Sequence, residues 1–325
     1  MSKTVDNLPW VEKYRPKNLD DVVQQEEAVK ALKTTLETGD LPHLIFHGPP
    51  GTGKTSLALA LCRSLFGDEF RLRVKELNAS DERGIDAVRS SVKEFASLAV
   101  PTGKIPFKIV ILDEADSMTS AAQNALRRII ETYSSVTRFI IICNYVSKII
   151  DPILSRCAKF RFKPLDRPAI IERLHKIFED QNLSVDSEDT YETLVNISGG
   201  DLRKAITFAQ SAASTCSQTR KITSEIITSI SGAPNPADVE NYFKTCLSAD
   251  WDTIENATID LVYAGYDIGQ IFEILIDLIV KTNEIPEAKK PELILKIAQA
   301  DGAIINRADP QFQLISISSS IRASK

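Results

Sequence analysis

Cysteine is scarce in this chain and nowhere paired in sequence. Its five copies, Cys62, Cys143, Cys157, Cys216 and Cys246, are odd in number, widely spaced and free of any C-x-x-C pair. That argues against a disulfide framework and fits the reduced thiols of cytosol or nucleus. Histidine is scarcer still, at His43, His47 and His175. His43 and His47 are four apart in what reads as a strand, where the spacing does not make a helical metal pair, and no Cys/His cluster suggests a metal centre. Long apolar runs are missing: the most apolar stretch, Ile271 to Val280, contains Glu273 and Asp277, and nothing reaches the roughly 20 residues of a membrane span. The opening MSKTVDNLPW lacks an apolar h-region, so no secretory signal is expected. There is no basic excess either. Lys+Arg number 39 against 44 Asp+Glu, for a net charge of −5, whereas nucleic-acid-binding domains are usually basic.

What remains is a 325-residue chain of ordinary globular composition, 43% hydrophobic and 26% charged, long enough for two or three domains. No internal repeat or low-complexity tract is visible. In the first half, short apolar runs alternate with helical patterns. Leu44–His47, Ile109–Leu112 and Phe139–Cys143 read as buried strands, and Leu57, Leu61 and Leu65 mark a helix after the first. Fully apolar strands alternating with helices predict an α/β open parallel sheet covered on both faces. After Lys163-Pro164-Leu165 the pattern becomes helical, with amphipathic segments at Ala169–Gln181, Thr190–Ser198 and Leu202–Ala213. The turn cluster Gly232-Ala233-Pro234-Asn235-Pro236 then separates a last helical region, with apolar spacing at Ile268, Ile271, Phe272, Leu275, Ile276 and Ile279. Three parts are expected: 1–163, an α/β domain; 164–231, a small helical domain; and 232–325, an all-α C-terminal domain.

The chemistry is concentrated at the ends of the apolar strands. Gly48-Pro49-Pro50-Gly51-Thr52-Gly53-Lys54-Thr55 matches G-x-x-x-x-G-K-[ST], followed by Ser56, and lies between a predicted strand and a predicted helix. Glycines there let backbone N–H groups turn inward around phosphates, at a helix N-terminus whose dipole favours anions. Lys54 would reach the β- and γ-phosphates and Thr55 would offer its hydroxyl to Mg²⁺. Asp113 and Glu114 end the second apolar strand, 59 residues beyond Lys54, on the ligand edge of a parallel sheet. Asp113 suits Mg²⁺, and Glu114 suits a general base acting on water. Asn144 ends the third strand, where its amide can orient that water. Asp113-Glu114-Ala115-Asp116 also spells the box of the DEAD helicases, but those resemble two tandem RecA-like domains and this chain has one P-loop.

These motifs, in this order, resemble an AAA+ ATPase, and more narrowly a small subunit of replication factor C, the eukaryotic sliding-clamp loader. The resemblance is carried by Trp10-Val11-Glu12-Lys13-Tyr14-Arg15-Pro16, by Glu76 to Gly84 (ELNASDERG), by Asp113 to Thr119 (DEADSMT), by Ser155-Arg156-Cys157 and by Gly200-Asp201-Leu202-Arg203-Lys204. It covers residues 10 to about 210 and implies an AAA+ P-loop domain, a helical lid and an all-α collar. It also implies roles: Asn144 as sensor 1, Arg203 as sensor 2, Arg156 as the finger reaching a neighbouring subunit's ATP, and Val11, Arg15 and Val23 at the adenine pocket. Where the family often has Gly-Gln after that valine, this chain has Gln24-Gln25, which opens the shape of the adenine pocket to question. The cofactors implied are ATP and Mg²⁺. The partners implied are other replication factor C subunits in a hetero-pentamer, the ring-shaped clamp PCNA and primer–template DNA, in the nucleus and without a membrane.

In such loaders, positions like Arg83, Arg89 and Lys148 contact DNA phosphates, which positions a duplex without reading its sequence. Residues alone also allow a solvated helix face for the first two. The acidic net charge does not forbid DNA. Residues 231–325 carry 14 acidic and 8 basic side chains, leaving 31 basic and 30 acidic in residues 1–230. Two rivals stand beside this expectation. A branch-migration helicase would need a DNA-working hairpin or a winged helix, and neither is evident; an ATP-binding scaffold with a silent site is not separable from sequence.

Overall fold

In the computed structural model the described residues are 8–80, 85–98, 100, 105–216 and 220–325, with the side chains of 36–38 and 85–89 outside the description. In chain order come α1 (Trp10–Lys13), α2 (Glu26–Thr38), β1 (His43–His47), α3 (Lys54–Phe66), α4 (Phe70–Arg73), β2 (Val74–Asn78), α5 (Ile85–Ser97), β3 (Lys108–Asp113), α6 (Ser120–Tyr133), β4 (Thr137–Cys143), α7 (Asp151–Leu154) and β5 (Cys157–Arg161). Then follow α8 (Arg167–Asp180), β6 (Ser184–Val185), α9 (Asp189–Ser198), α10 (Leu202–Thr215), β7 (Lys221–Ile222), α11 (Ser224–Ser231), α12 (Pro236–Ser248), α13 (Trp251–Tyr263), α14 (Ile268–Lys281), α15 (Lys290–Ile305) and α16 (Pro310–Ser324). The chain forms two compact units, one of residues 1–184 and 194–221, the other of 185–193 and 222–325.

The first unit is built on a five-stranded sheet in the order β2-β3-β4-β1-β5, with every pairing parallel. Alternate residues of the central strands face opposite layers. Leu44, Phe46, Ile109, Ile111, Ile140 and Ile142 pack with Leu57 and Leu61 of α3. Ile45, Val110, Leu112, Phe139 and Ile141 pack with Val92 of α5 and with Leu126 and Ile130 of α6. Helices on both faces explain why β1, β3 and β4 are apolar almost throughout.

The sequence marks these three central strands and passes over β2 and β5. Both are edge strands. Val-Lys-Glu-Leu-Asn of β2 and Cys-Ala-Lys-Phe-Arg of β5 are only partly buried, so neither presents an apolar run. The separate two-stranded ribbon of β6 and β7, two residues per strand, also leaves no periodic signal.

The second unit is helical. Ile271, Leu275 and Ile279 of α14 share one core with Val239 and Phe243 of α12, Ile297 of α15, and Leu314 and Ile321 of α16. The turn cluster does what its residues suggest: Gly232 ends α11 in the left-handed region, Asn235 caps α12, and Pro236 takes its first position. Among the described residues no helix is long and apolar enough to cross a membrane.

Candidate nucleotide site

Because β3, β4 and β1 are neighbours in the sheet, the segments leaving their C-terminal ends meet. This is where open parallel sheets bind ligands. The loop after β1 turns at Gly48, where a Cβ would overlap the Phe162 carbonyl, and enters α3 at Gly53 in the left-handed conformation (φ 88°). A side chain at Gly48 would displace the loop, and one at Gly53 would strain its backbone. Thr52 Oγ1 donates to the Pro49 carbonyl at 2.9 Å and ties the loop across itself.

Lys54 is 7% exposed. Its ammonium donates to the carbonyls of Gly48 and Pro49, both at 2.7 Å, and to Asn144 Oδ1 at 2.9 Å. Burial holds its pKa below the ordinary lysine value, against the pull of Asp113. Thr55 Oγ1 donates to Asp113 Oδ2 at 2.7 Å, and the Glu114 N–H donates to Asp113 Oδ1 at 2.8 Å. Glu114 is exposed and has left-handed backbone (φ 53°), a strained state for a residue with a Cβ and one that clusters at functional sites. Asp116 Oδ2 accepts from the N–H groups of Asn144 (3.3 Å) and Tyr145 (3.2 Å), fastening the end of β4 to the loop after β3.

These groups open onto a cavity of about 1120 Å³ counted to its open mouth. Its lining brings together the expected Val11, Arg15, Val23, Pro50, Gly51, Thr52, Gly53, Lys54, Thr55, Ser56, Asp113, Glu114, Asn144 and Arg203. Gly48 and Pro49 lie behind the lining and hold Lys54 through their carbonyls. Arg203 stands in the first turn of α10, whose N-cap Asp201 accepts from the N–H groups of Arg203 and Lys204. Arg15 Nη2 is 2.5 Å from Glu12 Oε1.

Other expected residues lie elsewhere. Arg156 does not line the cavity. Its guanidinium, 39% exposed, pairs with Glu131 Oε1 of α6 at 2.6 Å and donates to the Pro152 carbonyl at 2.6 Å. Lys148 lies in a short turn, with its ammonium 5.3 Å from the Tyr145 ring centre. Arg83 falls outside the described residues, and Arg89 belongs to α5 but its side chain is outside the description.

Sequence reasoning missed several members. Tyr14, Pro16, Val22, Leu165, Arg173, Leu202 and Ile206 also line the cavity. Arg173 of α8 donates from Nη2 to the Tyr14 carbonyl at 2.6 Å, and nothing in its sequence neighbourhood signals this. Gln123 of α6, 2% exposed, donates to the carbonyls of Met118 (3.1 Å) and Lys148 (2.9 Å) and accepts from the Ile150 N–H (2.9 Å). One buried amide thus links the segment after Glu114 to the segments before Arg156. Its amphipathic helix gives no cue, since a buried Gln reads as polar and therefore exposed.

A phosphate loop, a strand-end carboxylate pair and a third strand-end amide on a doubly covered parallel sheet define a P-loop ATPase. Residues 44–165 match the model of the ATPase family associated with various cellular activities, AAA. Residues 172–214 match the RCF1/5-like, AAA+ ATPase lid domain and residues 234–320 the replication factor C C-terminal domain. The chain is 49% identical to human replication factor C subunit 4, over 98% of this chain and 89% of that protein. It is 47% identical to rice replication factor C subunit 2, over 97% and 94%. To the replication factor C small subunit of Archaeoglobus fulgidus it is 44% identical, over 94% of each. The chain therefore belongs to the replication factor C small-subunit family. The solved Holliday junction branch migration motor RuvB of Thermotoga maritima shares the fold, with a TM-score of 0.55 and 18% identity over 71% of this chain and 78% of that one.

Proposed function

We propose that this chain is an ATPase subunit of a nuclear replication factor C hetero-pentamer that opens the PCNA ring and places it on primer–template DNA. The observation that carries the reading is the split between two sites: Lys54, Thr55, Asp113, Glu114 and Asn144 converge on one cavity, while Arg156 lies outside it. Arg156 is partly exposed and paired with Glu131, and a neighbour's γ-phosphate would compete for it. In this reading residues 1–163 form the ATPase domain, 164–231 the lid and 232–325 the collar through which subunits associate.

The P-loop N–H groups from Gly51 to Ser56 and the Lys54 ammonium grip the phosphates of ATP. Val11, Arg15 and Val23 lie at the adenine end, and Arg203 reaches the phosphates from the lid. Thr55 and Asp113 offer a hydroxyl and a carboxylate 2.7 Å apart, hard oxygen donors that suit Mg²⁺. Bound there, Mg²⁺ would neutralise charge on the transferring phosphoryl group. Asn144 orients water, Glu114 takes its proton as its oxygen attacks the γ-phosphorus, and ADP departs with the bridging oxygen. Arg156 stabilises the same charge on the adjoining subunit's ATP. Arg83, Arg89 and Lys148 face DNA phosphates, so binding should weaken with salt.

The test is reconstitution with partner subunits and measurement of ATPase with and without clamp and primed DNA. Arg156→Ala should bind its own ATP normally and slow hydrolysis at the adjoining site by about 10³–10⁵-fold, the range for a trans arginine. Wild-type turnover in that complex would overturn the trans assignment.

A further inference from the structure

We infer that Gln24 and Gln25 are positioning residues that clasp the base end of the nucleotide cavity to the segment joining the sheet to α8. Both have left-handed backbone, with φ of 55° and 66°, which is costly for a residue bearing a Cβ and is ordinarily left to glycine. Two such residues in succession need a return, and their side chains supply one. Gln25 Nε2 donates to the Lys163 carbonyl at 2.9 Å, and Gln25 Oε1 accepts from the Lys163 N–H at 3.3 Å. Gln24 Nε2 donates to Asp166 Oδ2 at 2.7 Å, and Gln24 Oε1 accepts from the Asp166 N–H at 2.9 Å. Each amide is used at both ends.

The partners are chosen at a cost. Asp166 stands at the N-cap of α8, yet its carboxylate bonds none of that helix's N–H groups. It gives up the usual work of an N-cap aspartate and accepts from Gln24 instead. The clasp also sits between two walls of the cavity. Val22 and Val23 immediately precede the glutamines, and Leu165 lies between the two clasped residues; all three line the cavity. So does Arg173, further along α8. Fastening 24–25 to 163–166 fixes the distance between these walls without touching the phosphate loop.

The inference rests on the reading of this cavity as the ATP site. Loosening the clasp should weaken the grip on the nucleoside while sparing contacts to a bare polyphosphate. The experiment titrates the full chain with ATP and, separately, with inorganic tripolyphosphate, alongside urea denaturation. Gln25→Ala and Gln24→Gly, each losing two hydrogen bonds, should each weaken ATP about tenfold or more, with tripolyphosphate affinity retained. Gln24→Gly is decisive because glycine relieves the left-handed backbone. A role confined to backbone shape predicts a more stable protein with undiminished ATP affinity, and that result overturns the inference. Asp166→Ala, which loses the Gln24 Nε2 bond but keeps its own N–H bond to Gln24 Oε1, should weaken ATP by less than Gln24→Gly, while Asp166→Asn, which keeps an acceptor oxygen, should restore binding. Equal loss for ATP and tripolyphosphate would also overturn it. Lys54→Ala serves as the separate control: undiminished ATP binding in that variant would refute the site itself, and the clasp's role with it.

Discussion

Helix α3 begins at Gly53 with no side chain bonded to its first N–H groups. In the second unit α12, α13, α14 and α16 begin with Asn235, Asp250, Asp267 and Asp309, and each side-chain oxygen accepts from the helix it opens. Strain divides the same way. Gln24, Gln25 and Glu114, at or beside the cavity, have left-handed backbone, as do Asn182 and Arg220 of the first unit away from it, and in the second unit Arg307 is the one non-glycine residue so described. A helix that will receive an anion keeps its donors free; a helix that only packs has them satisfied at once. At the phosphate loop and the carboxylate after β3 the first unit departs from local preference, while α12, α13, α14 and α16 of the second keep sequence, cap and core consistent.

The sharpest way to test this contrast is Glu114→Gln. In the assembled complex, hydrolysis should fall by about 10²–10⁴-fold, the usual contribution of a general base, with ATP binding and the denaturation midpoint of the chain retained. Loss of fold in this variant would mean that Glu114 is structural and would erase the contrast. Next is Leu275→Ala, at a fully buried position of the second core. It should destabilise the chain by about 2–5 kcal/mol, read by urea denaturation, without weakening ATP in the folded protein. A parallel loss of ATP affinity would break the separation.

The smallest effect concerns acid. His43, at the start of β1, accepts at Nδ1 from the Phe139 N–H at 3.2 Å, and burial, with a push from Arg138, lowers its pKa to about 4. The unfolded chain takes up this proton near the ordinary value of about 6.5. The stabilising share is therefore complete above that value and is lost as pH falls from about 6.5 towards 4. Allowing for partial exposure, about 1 kcal/mol is expected, and His43→Gln should flatten the slope of stability measured between pH 7 and 5. An unchanged slope would move the acid sensitivity elsewhere.

How much could be read in advance follows the same physics. The three strands buried on both faces are apolar almost throughout, so β1, β3 and β4 stand out, and the residues at their C-terminal ends were legible because parallel strands deliver their ends to one edge. The edge strands β2 and β5 mix lysine, glutamate or arginine with apolar residues and were not. Residues that act across long sequence separations left little trace: Arg173 on Tyr14, Gln123 on Lys148 and Ile150, and Glu131 on Arg156. The Gln24-Gln25 pair was visible as a departure from the family pattern, but its reason lies about 140 residues away.

The sheet order also dictates when the site can exist during synthesis. Among the described residues β1 pairs with β4 and β5, so residues 43–47 have no partner in the sheet until residues 137–143 have left the ribosome. Closing so long a loop costs entropy before any contact repays it, and domains fold as units while the chain emerges at about 5–20 residues per second. Phe162, against which Gly48 turns, comes later still. The phosphate loop is therefore written early and completed late. A nascent chain stopped short of β4 holds every letter of the motif and no neighbour in the sheet for the strand that carries it.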